Sequence, residues 1–388
     1  MKWIITIPAI LLFALAGCGK DKQSTNELIT VDVTASYPKK ELILQDFMDV
    51  EYIPLETKDD FICQGLVLAI GKDIILARNR IRDGDIFIYD RKTGKGLKKI
   101  NREGQGGEEY TFIQRIVLDE KQNEIFVLDH FSRKISVYDL DGNFKRSLKR
   151  GDELYFFHLY NFNQTSLITN NYWVTDKPAF TIISKQDGTT KQIQIPFKEK
   201  ISMAVNYSDK AKDIYYNVIP DNYNPIIPYF DCWVLVEQSS DTVYKYQSDH
   251  KMIPIIARTP SVQSMNPEVF LFLGILTNRY FMETVKKEYN FETHEGFPTT
   301  DLLYDKQEKA IFEYIVYNND YSEKRAVNMK SLPVDDKIAS WQSIEASQLI
   351  EDYEKGKLKG RLKEIAASLD EESNPVIMLI KHKKQTNP

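Results

Sequence analysis

Cysteine is scarce in this sequence, and no sign of charge dominates. Cys18, Cys63 and Cys232 are the three cysteines in 388 residues, which excludes a scaffold that depends on several disulfides. The spacing of Cys63 and Cys232 does not show that their Cα atoms approach, and we expect two buried free thiols. With 51 basic and 56 acidic residues the net charge is −5, and no block of Lys or Arg occurs. This composition argues against a nucleic-acid-binding protein.

The common signatures of metal and catalytic sites are also missing. The five histidines show no ligand spacing, and neither His-Glu-x-x-His nor Gly-x-Ser-x-Gly occurs. The glycine-rich stretch 104–107 lacks the Lys-Ser/Thr of a phosphate-binding loop. Asp139, Asp141 and Asn143 begin like a calcium loop, but their glycine comes at the fourth position and not at the sixth. We therefore predict no metal and no cofactor, a connection with unusual φ at 104–107, and a hairpin turn at 139–143.

Long apolar runs are absent except at the N-terminus. Residues 3–16 are apolar apart from Thr6 and Pro8, follow a lysine, and are shorter than a comfortable membrane span, which is typical of a signal peptide. The run ends in Leu-Ala-Gly before Cys18, and this segment resembles a bacterial lipobox. The resemblance implies cleavage before Cys18 and a lipid on its thiol that anchors the chain to a membrane. The alternative is an ordinary secretory peptide that contains a cysteine.

The predicted organisation is a signal peptide at 1–17, a polar tether at 18–27 and a folded body at 28–388. The tether is composed of polar residues that keep a folded body clear of a bilayer. The charges directly after Cys18 resemble the surface-export signal of Bacteroidetes lipoproteins, although Asp21 is the single acid in residues 19–26. We expect attachment to the outer membrane of the cell envelope, on either its periplasmic or its surface face.

The body of the chain has the pattern of short strands and turns. Apolar runs rich in Ile, Val, Phe and Tyr are broken about every ten residues by Gly, Asp or Asn, which is typical of hairpins. The clearest unit, 113–148, predicts four antiparallel strands. Gly142 is free to take positive φ in the last turn of this unit.

Part of this unit recurs along the chain. Residues 135–142 match 85–95 and 180–188, and weaker copies lie at 232–246 and 300–314. Four short strands repeated at about 40–50 residues predict a β-propeller, whose blades bury their faces against one another. The length suits six blades. An up-and-down barrel would also give strands, but not this recurring unit.

Two insertions are predicted within the all-β propeller. The segment 209–231, rich in Pro, Tyr and Asn, predicts a long loop. Helical spacing of apolar residues, with acids preceding bases, predicts a surface helical hairpin at 343–370 near the C-terminus. The apolar run 376–380 predicts a final strand. Because a ring must close, we expect it to share a blade with an N-terminal strand at 28–33 or 52–55.

Three segments resemble a known family. Residues 101–110 resemble the Gly-Gln-Gly-Pro-Gly-Glu-Tyr segment of six-bladed β-propeller lipoproteins of Bacteroides and relatives, which are similar to NHL-repeat propellers. Residues 46–57 resemble the opening of that family, and 374–377 its closing strand. Gly107 and Glu108 stand where the family usually has Pro and Gly. The resemblance spans nearly the whole mature chain and implies a six-bladed propeller.

Candidate ligand-binding side chains are mostly aromatic. Tyr215, Tyr216, Tyr223 and Tyr229 fall in the predicted 209–231 loop. Exposed rings there would stack on a sugar or mark a protein interface. The alternative, which the sequence slightly favours, is a loop that packs its own rings onto the propeller.

His130 and Arg133 are the remaining candidates. Both lie just after a predicted strand that ends in Asp129. The resemblance to NHL-like blades implies that this Asp-to-Arg turn is mainly structural, with side chains that bond turn backbone and neighbouring blades. A ligand-binding role for His130 and Arg133 is kept as a hypothesis.

Two functional hypotheses stay open. The first is a non-catalytic binding module that recognises a glycan, a peptide or an outer-membrane protein partner at the propeller mouth, and the resemblance implies an association with nutrient uptake. The second is a hydrolase or lyase with its site in the central channel. Ionisable residues clustered in the channel would favour the enzyme, and an aromatic mouth with few carboxylates would favour binding. Binding is preferred because no catalytic constellation is recognised.

Overall fold

Six sheets placed side by side around a channel form the body of the chain in a computed structural model. The structure describes residues 28–80, 83–149, 156–171, 179–331, 334–335 and 337–383. The predicted signal peptide, the tether and the lipid-bearing Cys18 lie outside these residues.

The N-terminal segment comes before the first blade. It contains β1 (Ile29–Asp32), β2 (Lys39–Ile43), α1 (Leu44–Phe47) and β3 (Met48–Pro54). The first blade follows with β4 (Leu66–Ile70), β5 (Ile74–Arg78), β6 (Asp85–Asp90) and β7 (Gly96–Asn101). The second contains β8 (Ile113–Asp119), β9 (Glu124–Asp129), β10 (Lys134–Tyr138) and β11 (Phe144–Lys149), with a 3₁₀ turn at Glu120–Gln122.

The third blade contains β12 (Phe156–Asn161), β13 (Ser166–Asn171), β14 (Phe180–Ser184) and β15 (Thr190–Ile193). A separate two-stranded ribbon follows, made of β16 (Val205–Asp209) and β17 (Ile214–Val218). The fourth blade contains β18 (Ile226–Tyr229), β19 (Cys232–Leu235), β20 (Thr242–Gln247) and β21 (Met252–Thr259), and a 3₁₀ turn at Val262–Ser264 leads away from it.

The last two blades carry the remaining elements. The fifth is built from β22 (Val269–Leu276), β23 (Arg279–Lys286), the small hairpin β24 (Tyr289–Asn290) and β25 (Glu295–Gly296), then β26 (Thr299–Asp305), β27 (Ala310–Asn318) and β28 (Arg325–Ala326). The sixth contains β29 (Ile338–Ile344), α2 (Ala346–Glu354), α3 (Gly360–Ala366) and β30 (Val376–His382), and β3 completes its sheet.

Burial along the strands explains the short apolar runs of the sequence. In the second blade every residue of β9 is buried, whereas β11 alternates between exposed and buried positions. A blade is covered on both faces by its neighbours, so its middle strands are mostly apolar, with the charged residues Glu124 and Asp129 at the two ends of β9, and its outermost strand is amphipathic. The predicted four-stranded meander at 113–148 is confirmed by the antiparallel pairing of β8 to β11.

Six apolar clusters fill the spaces between consecutive blades and close the ring. The cluster around Ile125 joins the first two blades, and that around Phe270 joins the fourth and fifth. The cluster with Phe87 and Ile377 joins the sixth blade back to the first. These interfaces bury the faces that single blades could not bury alone. They confirm the predicted six-bladed propeller with a small helical insertion near the C-terminus.

The N-terminal segment forms a belt around three outer edges, which we define as residues 29–54. β1 pairs in parallel with β21 of the fourth blade, and β2 pairs in parallel with β27 of the fifth. β3 pairs antiparallel with β30 and closes the sixth blade. The prediction for 52–55 is therefore confirmed, because Tyr52 and its neighbours pair with the final strand. The prediction for 28–33 is wrong as a closing strand, because this stretch adds to the outside of the fourth blade.

Each blade has two ends that differ in their connections. Connections from first to second strand and from third to fourth strand are short, and we call this the turn end; it comprises 71–73, 91–95, 120–123, 139–143, 162–165, 185–189, 230–231, 248–251, 277–278 and 306–309. The other connections are mostly longer, and we call this the loop end; it comprises the described parts of 55–65, 79–84, 102–112, 130–133, 194–225, 236–241, 260–268, 287–298, 319–324 and 345–375. The segment that leads from β28 to β29 ends at the turn end, where the Lys337 carbonyl accepts the backbone N–H of His382.

The helical insertion 343–370 lies mainly at the loop end, and so does the part of 209–231 that precedes β18. The segment 209–231 is not one loop, because β17 and β18 lie within it, and the prediction is corrected on this point. The error arises because Pro and Asn are read as loop residues, whereas Pro228 sits within β18 at a blade strand. The segment 343–370 contains α2 and α3.

Charged side chains join neighbouring blades at the turn end. The Glu120 carboxylate of the second blade accepts hydrogen bonds from the backbone N–H groups of Lys72, Asp73 and Ile74 in the first, at 2.6 to 3.0 Å. Between the second and third blades, the Lys185 ammonium lies 2.5 Å from the Asp119 carboxylate, and both side chains are buried. The turn end is therefore held by ionic contacts across the blade interfaces.

Candidate functional site

The β16–β17 ribbon presents aromatic side chains at the loop end. Tyr207 and Tyr216 are directly paired across its two strands and lie on one face. Phe291, from the loop that carries β24 and β25, lies against both, with ring centroids 5.2 Å from Tyr207 and 6.0 Å from Tyr216. Tyr207 and Tyr216 remain exposed. Two connections that are distant in sequence therefore build one aromatic surface.

The opposite face of the ribbon is polar apart from one ring. Tyr215 is 65% exposed, and its hydroxyl donates to the Asn206 side-chain oxygen at 3.2 Å. The Asn217 side-chain amide donates to the same oxygen at 2.6 Å. Alternation along a strand places these three side chains on one face. The result is an exposed ring beside two oriented amides.

Tyr223 and Tyr229 do not join this surface. Both are buried in the apolar cluster between the fourth and fifth blades. The Tyr223 hydroxyl donates to the Val236 carbonyl at 2.7 Å, and Tyr229 ends strand β18. The expectation that all four tyrosines share an exposed loop is therefore wrong for these two. Their rings supply blade packing because the chain re-enters the propeller there.

His130 and Arg133 lie at the loop end of the second blade, in a second aromatic cluster. The ring of His130 contacts Phe131 at 4.9 Å and Phe112 at 5.8 Å between centroids, and Phe131 is 67% exposed. Arg133 takes a left-handed φ of 50° in the turn. Four of the six predicted side chains, Tyr215, Tyr216, His130 and Arg133, thus share the loop end, although on separate blades.

Asp129 explains the turn that carries His130. Its buried carboxylate accepts bonds from the backbone N–H groups of Thr111 at 2.6 Å, Phe131 at 3.0 Å and Ser132 at 3.2 Å. Burial opposes its ionisation, but the bonds from Thr111 and Ser132 outweigh burial and lower the pKa of Asp129. The carboxylate holds two loop-end connections together, which accounts for the Asp-to-Arg turn structurally.

The glycine-rich stretch at 104–107 is occupied by a carboxylate of its own loop. Glu109 accepts the backbone N–H of Gly106 at 2.7 Å, and a Cβ added at Gly104 would lie 2.0 Å from the same carboxylate. The prediction of unusual φ there is wrong, since these glycines are not among those with positive φ. Close approach of Glu109, not backbone conformation, requires the glycine.

The predicted hairpin turn at 139–143 is confirmed. The Asp139 carboxylate accepts the backbone N–H groups of Asp141 and Asn143 at 2.9 and 2.8 Å, and Gly142 has φ of 82°. The hydrogen bond from the Asn143 side-chain amide, at 2.9 Å, and these backbone bonds lower the pKa of Asp139. The carboxylate is thus used by the turn. No group of three or more metal-ligating side chains occurs among the described residues.

Sequence reasoning did not locate the cavity in the central channel. Inner strands β4, β8 and β12 and the inner edge of the sixth blade enclose a volume of about 140 Å³. Its polar lining residues are Arg115, His158, Tyr160, Asn161 and Trp341. None of the described lining residues is an Asp or Glu. Which side of an inner strand faces the axis depends on ring closure, so the sequence gives no signal for this set.

The channel environment keeps His158 neutral. Burial in the cavity wall lowers the pKa of His158 to about 4, and the charge of Arg115 acts in the same direction. Its Nδ1 lies 3.1 Å from the Asn170 side-chain oxygen, which fits an N–H that donates to that oxygen. Burial raises the pKa of Tyr160 to about 12. At neutral pH the cavity therefore presents an uncharged imidazole and phenol beside one guanidinium.

The two remaining cysteines are free thiols. Cys63 is buried between the sixth and first blades, and Cys232 is half-buried in the fourth. Burial raises the pKa of both thiols, to about 11 for Cys232.

In the part of the chain that the structure describes, no helix is both long and apolar enough to cross a bilayer.

Comparisons with known proteins agree with this architecture. A family model described as "6-bladed beta-propeller" (DUF5128) matches residues 19–339. A protein from Bacteroides fragilis that is described as exported aligns over 92% of this chain and 100% of its own, with 13% identity and a TM-score of 0.57. A member of the duf4221 family from Bacteroides vulgatus aligns over 87% of this chain and 98% of its own, with 11% identity and a TM-score of 0.46. A comparison with curated protein sequences finds no match. At such identities, the likeness to the first structure shows the fold alone.

Proposed function

Because the chain belongs to the 6-bladed beta-propeller family DUF5128, we propose that it is a non-catalytic binding module of the cell envelope. Cys18 carries the lipid that anchors it, and the β16–β17 ribbon recognises a glycan at the loop end. A peptide or a partner protein is the other class of ligand that such a surface accepts, and the experiments below separate them.

The exposed ring of Tyr215 beside Asn206 and Asn217 carries this proposal. A flat ring stacks on the apolar face of a sugar, and neighbouring amides bond its hydroxyl groups. The ring lies 65% exposed although burial would be favourable, and the hydrogen bonds within this face fix the amides before a ligand arrives. Fixing them in advance lowers the entropy lost on binding.

The channel supports binding more than catalysis. Its described lining contains aromatic rings and one guanidinium but no carboxylate, which is the pattern that favours a binding module. General acid–base catalysis near neutral pH needs a group that titrates there, and the pKa of His158 lies far below that range.

A glycan array tests the proposal directly. The full chain in detergent is expected to bind a subset of glycans, and Tyr215→Ala is expected to weaken that binding at least about tenfold, as loss of a stacking platform does. Tyr353→Ala is the matched control, because Tyr353 is an exposed ring on α2, away from the ribbon. If the chain binds members of a peptide library but no glycan, the ligand of the ribbon is a peptide and not a glycan. An equal loss of glycan binding in Tyr215→Ala and Tyr353→Ala would show that the ribbon is not the binding site.

Anchoring is tested separately at Cys18. We expect the wild-type chain in the membrane fraction of its host and Cys18→Ala in the soluble fraction of the envelope, because the lipid is attached to the thiol. Mass spectrometry of the mature N-terminus checks the attached acyl chains. A Cys18→Ala chain that stays in the membrane would contradict lipid anchoring.

The alternative function, a hydrolase or lyase, has one observation in its favour, namely that His158, Arg115 and Tyr160 converge on the channel cavity. Turnover of a bound glycan that is abolished by His158→Gln would establish it. Unchanged binding and no turnover in both forms is the result we expect.

A further inference from the structure

Two lysines at the turn end lie near the ring of Tyr229 between the fourth and fifth blades. The Lys306 ammonium donates to the Tyr229 hydroxyl at 2.7 Å and to the Thr277 carbonyl at 3.4 Å. It also lies 4.1 Å from the ring centroid of Tyr280. The Lys245 ammonium lies 5.5 Å from the ring centroid of Tyr229. Aromatic faces attract each cation, but they supply no negative charge.

Three better-buried lysines in the described part of the chain have a carboxylate partner, which these two lysines lack. Three lysines at other blade contacts each lie 2.5 to 2.7 Å from a carboxylate oxygen. Those pairs are Lys185 with Asp119, Lys200 with Glu237, and Lys330 with Glu283. Over the described ranges, neither Lys306 nor Lys245 forms an ion pair, although both are half-buried.

The nearby acids are committed elsewhere or face solvent. Asp305 precedes Lys306 in the chain, but its carboxylate pairs with Arg279 at 2.9 Å and with Lys40 at 3.4 Å. Asp231 is exposed in the turn after Tyr229. The pKa of Lys306 falls to about 8, first because of burial and then because of the charge of Lys245. A negative charge at this position would offset both effects.

We propose that Lys306 and Lys245 form a site for a phosphate-type oxyanion at the turn end of the fourth and fifth blades. The two ammonium groups offer donors to the several acceptor oxygens of such an anion, while the Tyr229 hydroxyl, which accepts from Lys306 and donates to the Thr277 carbonyl at 3.3 Å, holds the Lys306 ammonium in place. Lysine binds phosphate as a point charge. The anion is either a free phosphate or the phosphate of a lipid headgroup.

The course of the belt makes the headgroup a natural source. β1 runs parallel to β21, and β21 runs from the turn end towards the loop end. The chain before Ile29 therefore approaches the fourth blade from the turn end. A lipid at Cys18 would bring that end, with its two lysines, towards the membrane surface. This last step rests on the proposed anchoring, whereas the oxyanion site itself does not.

Protection of Lys306 from acylation tests the site without any variant. The full chain in detergent is treated briefly with an amine-reactive ester, and the labelling rates of Lys306 and Lys251 are followed by mass spectrometry. Lys251 is exposed in a turn-end connection of the same region and serves as internal reference. Phosphate at ten times its dissociation constant should slow the acylation of Lys306 about tenfold and leave the acylation rate of Lys251 unchanged, at matched ionic strength.

Two variants and two membranes complete the test. Lys245→Gln should abolish protection of Lys306 by phosphate, whereas Lys251→Gln should retain it. Protection in vesicles with phosphatidylglycerol, but not in pure phosphatidylcholine or free phosphate, would assign the site to an anionic headgroup. Protection by free phosphate alone would assign it to a soluble ligand. No protection under any of these conditions would overturn the proposal. Glycan binding at the opposite end is measured on the same samples, so the two proposals fail independently.

Discussion

The two ends of the propeller grow from the same sheets, yet they differ in how they are stabilised. At the turn end, short connections are joined across blades by buried or half-buried charges such as Glu120 and the Lys185–Asp119 pair. At the loop end, the β16–β17 ribbon pairs with no blade strand in the described structure and leaves its rings exposed. A two-stranded ribbon contributes little stability by itself. Asp129 and the buried Lys200–Glu237 pair stabilise other loop-end connections, so the comparison singles out the ribbon as the part of the loop end that is left for recognition.

The largest effect is expected for Asp119→Asn at the turn end. It leaves the buried Lys185 ammonium without its counter-charge, which costs about 3 kcal/mol in the free energy of unfolding. Urea unfolding of the full chain measures the change. Asp141→Asn is the control, because that carboxylate pairs with Lys98 in an exposed turn and should cost less than about 1 kcal/mol. Equal costs for the two variants would remove the distinction between buried and exposed turn-end charges.

The second largest effect is expected on acidification, which should destabilise the turn end at Glu124. Bonds from Arg146 outweigh burial and, with Lys145, lower the pKa of Glu124 from 4.5 to about 2. Because the folded-state pKa is the lower one, this contribution is complete above pH 4.5 and is lost as the pH falls towards 2. Glu124→Gln should therefore lose about 3 kcal/mol at neutral pH, and its deficit should shrink on acidification. Thermal unfolding as a function of pH measures both, and a deficit that is constant with pH would contradict the assignment.

Glu120→Gln should have an intermediate effect. The carboxylate accepts three backbone N–H groups of the first blade, and a glutamine oxygen replaces only part of this capacity, so we expect a loss of about 1–2 kcal/mol. Lys121→Gln, at the next and exposed position, should stay within about 0.5 kcal/mol of wild type in the same urea titration. A cost for Lys121→Gln equal to that of Glu120→Gln would point to the turn itself and not to the contact between blades.

The smallest change in stability is expected at the loop end. Tyr207→Ala removes an exposed ring and should alter the free energy of unfolding by about 0.5 kcal/mol or less. If glycan binding uses the aromatic face as well as Tyr215, the same variant should weaken binding at least about tenfold. Unfolding and array binding are measured on one preparation. A large loss of stability would show that the ribbon supports the propeller.

The sequence predicted the repeated parts of the fold well. Residues 135–142 combine an apolar strand with an Asp-Leu-Asp-Gly turn, and both signals are local, so their copies identify blades directly. The ring closure at 52–55 followed from the apolar final strand. In contrast, β1, which was the other predicted closing strand, and β2 pair in parallel with strands more than two hundred residues away, and such short outer strands carry no local signature of their partner.

The candidate site was less predictable for a physical reason. Tyr215 and Tyr229 lie in the same Tyr-rich stretch, but one is exposed on the ribbon and the other is buried at the end of β18. The composition of the stretch predicts the same environment for both tyrosines. Their environments differ because the chain re-enters a blade between them, at β18. The same holds for His158, whose position on the channel wall depends on the packing of several blades.

The belt also determines how the protein bears mechanical load. If the N-terminus is held by a membrane and a large ligand pulls on the loop end, tension enters at residue 28 and reaches β1 first. β1 lies along β21 with four residues in parallel register, so a pull along the strand loads these hydrogen bonds together in shear instead of opening them one by one. β2 and β3 are loaded only after β1 yields. The pairings of β1, β2 and β3 with the outer strands of three blades are therefore loaded one after another. The pairing of β3 with β30, which closes the ring, is loaded last.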